Sequence, residues 1–549
     1  MADSFDYVIV GGGAAGSILA SRLTEDPGVT VCVLEAGPED TNPFIHIPAG
    51  FIKTLFNPKV SWQFKTEPTE WTGGRGIATT QGRTLGGSSS INGMVYNRGQ
   101  KADFDNWAQR GNRGWGYADI LPYFKRSERR VGPGGGEADK YHGRDGKIPV
   151  TDMDWVHPLC EAFMDGAAEV GLKRNPDYNG ATQEGVGYYQ RAIERGWRRS
   201  AARMFLHPAR SRPGLEVRTN ARASAILLEG KRAVGVRYIV DRGSRETREV
   251  RATKEVIVSA GTANTARLLQ ISGIGPAALL ASLGVPVQHE LAGVGQNFRD
   301  HYSVRIVARA KNITTLNELS KGTRLLGQIA RWALGKPSIL AVVPSLVHIF
   351  ARSSPHLQNP DLQGVFTPAS YAPGKTYVLD DYPGMTTGFW PHRPESVGHV
   401  RAVSTDPFVD PILQPNYLSH PTDRQVLIAG IRLARTMLAT TPMGQYFHSE
   451  QLPGVNVQSD DELLDFARQY GTTTYHLIGT ARMGPASDPT AVVDDELRVH
   501  GMQGLRVVDA SVMPSMPSAN TYAATMMIAE KASDMIRGKA PLPTAIGVD

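Results

Sequence analysis

A histidine near the carboxyl end of the chain has the surroundings of a proton acceptor. The segment TTYHLIGTARMG (Thr473–Gly484) places His476 directly after Tyr475 and shortly before a Gly479–Thr480 pair. Neutral imidazole titrates close to neutral pH and can take a proton from a reacting group. Residue type alone favours a structural histidine, so a catalytic role depends on what the rest of the chain is built to bind.

The amino-terminal segment has the pattern of a dinucleotide-binding unit. The apolar run YVIV leads into Gly11-x-Gly13-x-x-Gly16, a helical pattern follows, and the strand-like VTVCVLE ends at Glu35. The glycines allow close approach to a pyrophosphate, and the helix amino terminus offers free N–H groups. Glu35 can accept hydrogen bonds from ribose hydroxyls and would repel the 2′-phosphate of NADP. This unit alone leaves FAD and NAD as alternatives.

A second glycine-rich segment, GRTLGGSSSINGMVYNRG, runs from Gly82 to Gly99. Its glycines, serines and asparagine offer backbone amides and hydroxyls that can surround an anion or a ring edge. The same composition also suits a structural turn, so this segment alone favours neither interpretation.

Several further motifs follow in order along almost the whole chain. They are DFDNWAQRGNRGWGYADILPYFKRSE (Asp103–Glu128), SAGTANTARLLQISGIGP (Ser259–Pro276), LAGVGQNFRDH (Leu291–His301), YHLIGTARMG, and LRVVDASVMPSMPSANTYAATMMIAEKASDMI (Leu505–Ile536). Together with the two glycine-rich segments, these motifs resemble the glucose–methanol–choline (GMC) family of FAD-dependent alcohol oxidoreductases.

The resemblance implies that FAD is the cofactor. Some family members attach it through a histidine between the serine run and the asparagine, but Ile91 stands at that position here, so we expect non-covalent FAD. The cofactor-binding residues implied by the resemblance are Gly11, Gly13, Ala14, Ala15, Gly16, Glu35, Ala36, Gly86, Gly87, Ser88, Asn92, Gly93, Ala223, Asp509, Ala510 and Asn520.

The resemblance also implies the catalytic residues. His476 matches the family histidine that removes the hydroxyl proton while a hydride passes to flavin N5. Asn520, in SANTYAATMM, would position and polarise the substrate oxygen, leaving His476 as the sole base. We expect Trp62 and Tyr475 to line the substrate pocket, and we interpret His301 as structural.

The implied fold is α/β (α+β overall), with a Rossmann-like FAD-binding domain and a discontinuous substrate domain. We expect the FAD-binding domain at residues 1–155, 215–302 and 466–540, the last part carrying the catalytic pair. The substrate domain, an antiparallel sheet with helices, would occupy residues 156–214 and 303–465. We expect residues 541–549 to form a frayed tail.

Composition narrows the remaining function classes. The 549 residues carry a net charge of +6, a mild excess without a basic module, so we expect no nucleic-acid partner. Two cysteines exclude a disulfide framework and fit a reducing compartment. We find no secretory signal, no run long enough for a transmembrane helix and no metal-site pattern, and we expect a cytoplasmic protein.

One segment, Thr323–Phe350, raises the question of a peripheral membrane contact on the inner face of the membrane. Its residues Leu325, Leu326, Ile329, Trp332 and Ala333 can share a helix face, with Arg324, Arg331 and Lys336 nearby. A basic amphipathic helix can lie on an anionic membrane. A cover over the active-site entrance or a subunit contact is favoured, and the oligomeric state is left open.

The resemblance is closest to bacterial choline and aliphatic alcohol dehydrogenases. Choline would need an aromatic cage and a carboxylate, and no acidic residue occurs between His301 and Asn317. We therefore favour an uncharged primary alcohol, aliphatic or aryl, with oxygen or a quinone-type carrier as electron acceptor. The alternatives are choline oxidation, a hydroxynitrile lyase, a light-driven fatty-acid decarboxylase, or a flavin-binding protein without turnover.

Overall fold

Two seven-stranded sheets organise the part of the chain that the computed structural model describes, residues 3–241, 243, 245–372 and 378–548. Their strands are, in chain order, β1 (Ser4–Val10), β2 (Val31–Glu35), β3 (Gly185–Tyr188), β4 (Leu215–Thr219), β5 (Ala221–Glu229), β6 (Arg232–Asp241), β7 (Arg245–Val258), β8 (Tyr302–Ala310), β9 (Val347–Ala351), β10 (Leu362–Thr367), β11 (Gly384–Pro391), β12 (Phe447–Leu452), β13 (Thr472–Thr473) and β14 (Leu505–Val507).

Helices cover both sheets. Those of nine residues or more are α1 (Ala14–Leu23), α2 (Lys101–Gln109), α3 (Tyr117–Ser127), α4 (Pro158–Gly166), α5 (Thr262–Ile271), α6 (Gly322–Ala333), α7 (Pro421–Leu438), α8 (Asp460–Tyr470) and α9 (Thr521–Ile536). Helix α9 packs against α1 and α3.

The first sheet has the order β4–β2–β1–β7–β6–β5, with β14 paired to β7. The strands β4, β2, β1, β7 and β14 are parallel, and β6 and β5 extend the sheet in antiparallel fashion. Val8 and Ile9 of β1 are fully buried, as expected for a parallel strand covered on both faces. The predicted strand–glycine-loop–helix–strand unit is confirmed, and Glu35 is the last residue of β2.

The second sheet is antiparallel, with the order β12–β8–β11–β10–β9–β3 and with β13 paired to β8. One face packs on α7: Val304, Ile306 and Phe389 share a buried core with Leu427 and Ile431. Because side chains alternate along a strand, the residues between these core positions face the other way. That opposite face turns toward a cavity.

The mixed α/β class predicted from the sequence is confirmed. The strands of the first sheet come from residues 4–35, 215–258 and 505–507, and those of the second come from 185–188, 302–452 and 472–473. Each sheet is therefore assembled from separated segments of the chain. The residue bounds of the two domains stay a prediction.

The expected frayed tail is wrong for the described residues up to 548. The N–H of Leu542 donates to the Tyr123 hydroxyl (3.0 Å), and the N–H of Ala545 donates to the Ala118 carbonyl (2.9 Å). Val548 is buried in the core of the first sheet. Three apolar residues among prolines and polar residues are enough to dock this segment on α3.

Helix α6 lies on the surface, and none of its residues is buried. Trp332 turns inward, where its Nε1–H donates to the Gly196 carbonyl (2.9 Å). Leu326 and Ile329 turn outward and are 65% and 41% exposed. The apolar face expected from the sequence is therefore divided between protein and solvent. No helix in the described parts of the chain is long and apolar enough to cross a membrane.

Candidate active site

A cavity lined by residues of both sheets brings together most of the site residues expected from the sequence. Those that line it are Gly11, Gly13, Ala14, Ala15, Glu35, Ala36, Trp62, Gly87, Ser88, Asn92, Gly93, Ala223, Tyr475, His476, Asp509, Ala510 and Asn520. The amino-terminal glycine loop and the carboxyl-terminal histidine motif therefore meet at one site.

Two of the expected cofactor contacts, Gly16 and Gly86, lie behind the cavity lining. A Cβ at Gly16 would lie 1.9 Å from the Gly11 carbonyl oxygen, so α1 can pack on the loop only without a side chain there. The N–H of Gly86 donates to the Gly12 carbonyl (2.7 Å) and joins the two glycine-rich segments. These two glycines shape the loops, and other glycines line the cavity.

The carboxylate of Glu35 is buried against the glycine loop. It accepts hydrogen bonds from the N–H groups of Gly12 (2.9 Å) and Gly37 (2.8 Å). Burial raises the pKa of Glu35 to about 7, although both hydrogen bonds favour the ionised form. The carboxylate at the end of β2 is thus positioned by the loop that it adjoins.

Asp509 occupies a comparable position at the start of α5. It accepts from the Gly261 N–H (2.9 Å), the Thr265 hydroxyl (2.6 Å) and the Ser511 N–H (2.8 Å). Burial raises the pKa of Asp509 above its ordinary value. Asp509 therefore ties the segment after β14 to the loop after β7, and it places Ala510 at the cavity wall.

His476 and Asn520 form a direct pair at the cavity. The amide nitrogen of Asn520 lies 2.9 Å from Nε2 of His476. Gln363 Nε2–H donates to the Asn520 side-chain oxygen (3.3 Å), which assigns Nδ2 as the atom that faces the imidazole. Asn520 precedes α9 but makes no side-chain cap, so its amide serves His476 instead of the helix.

The other nitrogen of His476 contacts His301, which sequence reasoning treated as structural. The two Nδ1 atoms are 2.9 Å apart, and Nε2 of His301 lies 2.7 Å from the His392 carbonyl oxygen. A carbonyl can only accept, so neutral His301 carries its proton on Nε2 and offers a lone pair at Nδ1. His476 must then carry its proton on Nδ1 and expose a lone pair at Nε2.

Both histidines are held in their neutral forms. Burial lowers the pKa of His301 to about 4. Burial, followed by the neighbouring His301, lowers the pKa of His476 well below its usual range. The lone pair of His476 Nε2 accepts the Asn520 N–H in this structure, and an unprotonated imidazole can accept a proton from a hydroxyl that takes the place of that donor.

Asp300 is a site residue that the sequence analysis missed. One carboxylate oxygen accepts from the backbone N–H groups of His301 and His476 (2.8 Å each), and the other accepts from the hydroxyls of Thr473 and Tyr417. Burial raises the pKa of Asp300 to about 6. The sequence offered one signal for Asp300, its position directly before His301. A carboxylate at that position can accept hydrogen bonds from both the His301 and the His476 segments.

The two expected pocket residues lie in different surroundings. Tyr475 lines the cavity directly before His476, with a left-handed backbone (φ +67°) that is uncommon outside glycine. Trp62 also lines the cavity, but its ring stacks on Phe64 beneath the guanidinium of Arg222. Trp390, which sequence reasoning missed, lies 6.5 Å from His476 between ring centroids.

Two sequence models of one known protein family match this chain. The sequence model of the N-terminal GMC oxidoreductase domain matches residues 5–303, and that of the C-terminal domain matches residues 394–529. The chain is a GMC oxidoreductase. The resemblance seen in the sequence motifs is therefore confirmed.

Two curated relatives match this GMC oxidoreductase over nearly their full length. It is 39% identical over 549 residues to an alcohol dehydrogenase [acceptor] of Pseudomonas putida, which covers 99% of this chain and 98% of the relative. It is 40% identical over 545 residues to an oxygen-dependent choline dehydrogenase of Staphylococcus aureus, which covers 98% of this chain and 94% of the relative.

Two solved structures superpose closely on this chain. Pyridoxine 4-oxidase from Mesorbium loti superposes with a TM-score of 0.88 at 30% identity, covering 98% of this chain and 100% of that one. A variant of formate oxidase from Aspergillus oryzae, in which the modification of its FAD was studied, superposes with a TM-score of 0.89 at 26% identity and 98% coverage of both chains. The enzyme is a flavoprotein oxidoreductase, and FAD is its cofactor.

The residues present fit that cofactor. Gly13 precedes α1 without any side-chain cap, so the first N–H groups of the helix are open toward the cavity and can bind a pyrophosphate. Glu35 lies within the same lining, where it can meet a ribose. No group of metal-ligating side chains occurs among the described residues.

Proposed function

We propose that this enzyme oxidises a primary alcohol to an aldehyde with His476 as the general base. The observation that carries the proposal is the contact of His476 Nδ1 with His301 Nδ1, because it implies a lone pair at Nε2 beside the Asn520 amide. Bound FAD supplies the chemistry of a hydride acceptor. The protein must therefore hold the hydroxyl, remove its proton and exclude water.

Each of these tasks has a candidate side chain. Asn520 Nδ2–H can donate to the substrate oxygen, while its own oxygen stays fixed by Gln363. His476 Nε2 takes the hydroxyl proton as the carbon–hydrogen electron pair leaves the carbinol carbon. His476 is 8% exposed, and this burial limits the access of water to the reacting atoms.

The first experiment is anaerobic mixing of the FAD-loaded protein with octanol, benzyl alcohol, choline and a sugar. Loss of the oxidised flavin absorbance identifies the substrate class. His476→Ala should slow this reduction by about two to four orders of magnitude, the usual contribution of a general base. His448→Ala, which removes an exposed histidine bonded to Ser449, is the matched control and should leave the rate unchanged.

Readmitting air distinguishes the acceptors. Rapid return of the oxidised flavin spectrum indicates oxygen as the acceptor, and slow return indicates that the enzyme needs another acceptor, such as a quinone-type carrier. If no alcohol reduces the flavin in the wild-type protein, the proposal fails, and cyanohydrin cleavage or light-driven decarboxylation becomes the activity to assay.

Choline is a weaker candidate than a neutral alcohol. Recognition of its quaternary ammonium group requires a nearby carboxylate or an aromatic cage. The carboxylates among the described cavity residues are Glu35 and Asp509. Glu35 accepts hydrogen bonds at the amino-terminal glycine loop, and Asp509 accepts hydrogen bonds at the start of α5. Neither is available to a cation beside His476.

We further propose that FAD is bound without a covalent bond. Ile91 lines the cavity at the position where some family members carry the linking histidine, and its side chain has no nucleophilic atom. Precipitation with acid should release all of the yellow flavin into the supernatant. Flavin that stays with the precipitated protein would contradict this proposal.

We also propose, in place of the cover or subunit contact favoured from the sequence, that α6 contacts an anionic membrane surface. No acidic residue occurs between Glu318 and Asp361, so the outward apolar side chains of α6 stand in a purely basic segment. Leu326→Asp should reduce co-sedimentation with phosphatidylglycerol vesicles. Val455→Asp is the matched control, because Val455 is 66% exposed on another part of the surface. Equal binding by both variants and the wild type would refute the contact.

A further inference from the structure

One charged side chain of the cavity has no role in the reaction described above. Arg305 lies on β8 and lines the cavity. Its neighbours Val304 and Ile306 belong to the core on the other face of the sheet, so strand alternation directs Arg305 toward the site. No described residue makes a hydrogen bond or an ion pair with its guanidinium, and the side chain is half-buried.

The sheet is built to let this side chain lie across it. Arg305 is paired with Gly388 on β11, and Gly388 is paired with Val365 on β10. A Cβ at Gly388 would lie 2.9 Å from Cγ of Arg305, so glycine leaves a path that any other residue would fill. Val365 also lines the cavity and provides an apolar wall next to that path.

The position of Arg305 relative to the reacting groups follows from the strand register. Trp390 and Gln363 form the next pair on this face of β11 and β10. The Trp390 ring lies 6.5 Å from the His476 ring between centroids, and Gln363 bonds to Asn520. Two residues along a strand correspond to about 7 Å. That distance is about the length of five or six carbon–carbon bonds in an extended chain.

We infer that Arg305 recognises a carboxylate at the far end of the substrate, so that the preferred substrate is a primary alcohol carrying an anionic group several atoms from the hydroxyl carbon. This inference rests on the proposed alcohol oxidation and replaces the uncharged alcohol favoured by the sequence with an anionic one. A planar guanidinium binds a carboxylate through two parallel hydrogen bonds. The same positive charge disfavours choline at this place.

Few groups in the described surroundings of Arg305 can compensate its positive charge. A half-buried guanidinium without a counter-charge is poorly compensated for the water that it has lost. The carboxylates of the described cavity lining, Glu35 and Asp509, accept hydrogen bonds at the amino-terminal glycine loop and at the start of α5. An anion brought in by the substrate would therefore complete the site.

The test compares straight-chain ω-hydroxy carboxylic acids of about four to eight carbons with 1-alkanols of the same length, as reductants of the FAD-loaded enzyme under anaerobic conditions. In the wild type, the ratio of the reduction rate constant to the dissociation constant should be higher for the hydroxy acids than for the alkanols. Arg305→Gln should lower this ratio for hydroxy acids about ten- to a hundredfold, mostly through weaker binding, and leave alkanols within about twofold. Arg305→Lys should retain part of the preference.

Arg309→Gln is the matched control. Arg309 lies on the same strand with the same side-chain direction, but it is exposed and stacks over Tyr382. It should behave as the wild type with both substrate series. Equal loss with acids and alkanols in Arg305→Gln, or no preference for acids in the wild type, would overturn the inference while the proposed alcohol oxidation stands.

A binding measurement separates this inference from the proposed function. Hexanoate has no hydroxyl to oxidise, so its binding can be followed by the change in the flavin absorbance spectrum without turnover. Arg305→Gln should weaken hexanoate binding by at least about tenfold, whereas Arg309→Gln should not. Unchanged hexanoate affinity in Arg305→Gln overturns the anion site. If no alcohol reduces the flavin but hexanoate still depends on Arg305, the proposed oxidation fails and the anion site stands.

Discussion

Replacement of His301 by leucine should slow flavin reduction by an alcohol while leaving the candidate base in place. His301 Nε2–H is committed to the His392 carbonyl, so only a lone pair is available at Nδ1. That lone pair keeps the proton of His476 on Nδ1 and the lone pair of His476 on Nε2. Without His301, the hydroxyl of Thr474, 2.8 Å from His476 Nδ1, can donate there and favour the unreactive tautomer.

The size of the effect follows from the bond that is lost. Leaving a buried donor without its acceptor costs about 1–3 kcal/mol. Applied to the tautomer equilibrium, this range lowers the ratio of the reactive to the unreactive tautomer of His476 about 5- to 150-fold, which sets the largest expected loss in the rate of flavin reduction. Loss of His301 also removes the neighbouring imidazole that helps to lower the pKa of His476, so that pKa should rise and the acid limb of the pH profile should shift upward.

The assay is anaerobic stopped-flow reduction of the bound flavin, measured beside FAD content and thermal stability. Thr474→Val is the informative comparison, because it removes the competing hydroxyl donor but keeps the Nδ1 lone pair of His301 as the acceptor for His476. Its rate should stay within about threefold of the wild-type rate, a limit that corresponds to a net hydrogen bond at the weak end of the usual range. A His301→Leu protein with normal FAD content, a wild-type rate and an unchanged pH profile would refute the tautomer reasoning.

Three further outcomes are expected. Because the pKa of His476 is lowered, the unprotonated base persists to low pH, so stopped-flow reduction should be flat from about pH 9 to about pH 6.5 and fall only below that; a loss beginning near neutral pH would contradict it. Gly16→Ala should abolish most FAD binding in titrations, since its Cβ would meet the Gly11 carbonyl, whereas Gly444→Ala adds a Cβ to open space and should bind normally. Truncation after Pro541 should lower the melting temperature, because it removes the docked Leu542 and Val548; an unchanged melting curve would show that the docking adds no stability.

The features that the sequence predicted well are those whose signals are local. The glycine loop, α1 and Glu35 lie within a few tens of residues of one another, and each residue type is demanded by backbone geometry or by the charge of a pyrophosphate. The pairing of His476 with Asn520 was expected from the resemblance, and the two side chains do meet at 2.9 Å. Their chemical roles remain proposals.

The support of that pair was not predictable in the same way. His301 is 175 residues from His476 in sequence, and Gln363 is 157 residues from Asn520. Their contacts exist because β8 and β10 belong to one sheet whose face turns toward the cavity, and no local pattern encodes which face that will be. A buried histidine next to an aspartate looks structural until the partner of its free nitrogen is known.

The two sheets supply different parts of the site, and this affects substrate specificity. The candidate base and the oxygen-positioning amide come from segments that flank β14 of the first sheet, in fixed relation to the cofactor loops. Arg305, Val365 and Trp390 come from the second sheet, whose cavity face carries no group of the glycine loops. Changes along that face can therefore alter which alcohol fits, while the proton acceptor and its tautomer stay the same. Arg305→Met, which replaces the guanidinium with an unbranched apolar side chain, should favour alkanols over hydroxy acids and leave the rate constant for reduction at saturating alkanol within about threefold of the wild type; a large loss of that rate constant would show that the two sheets are not independent.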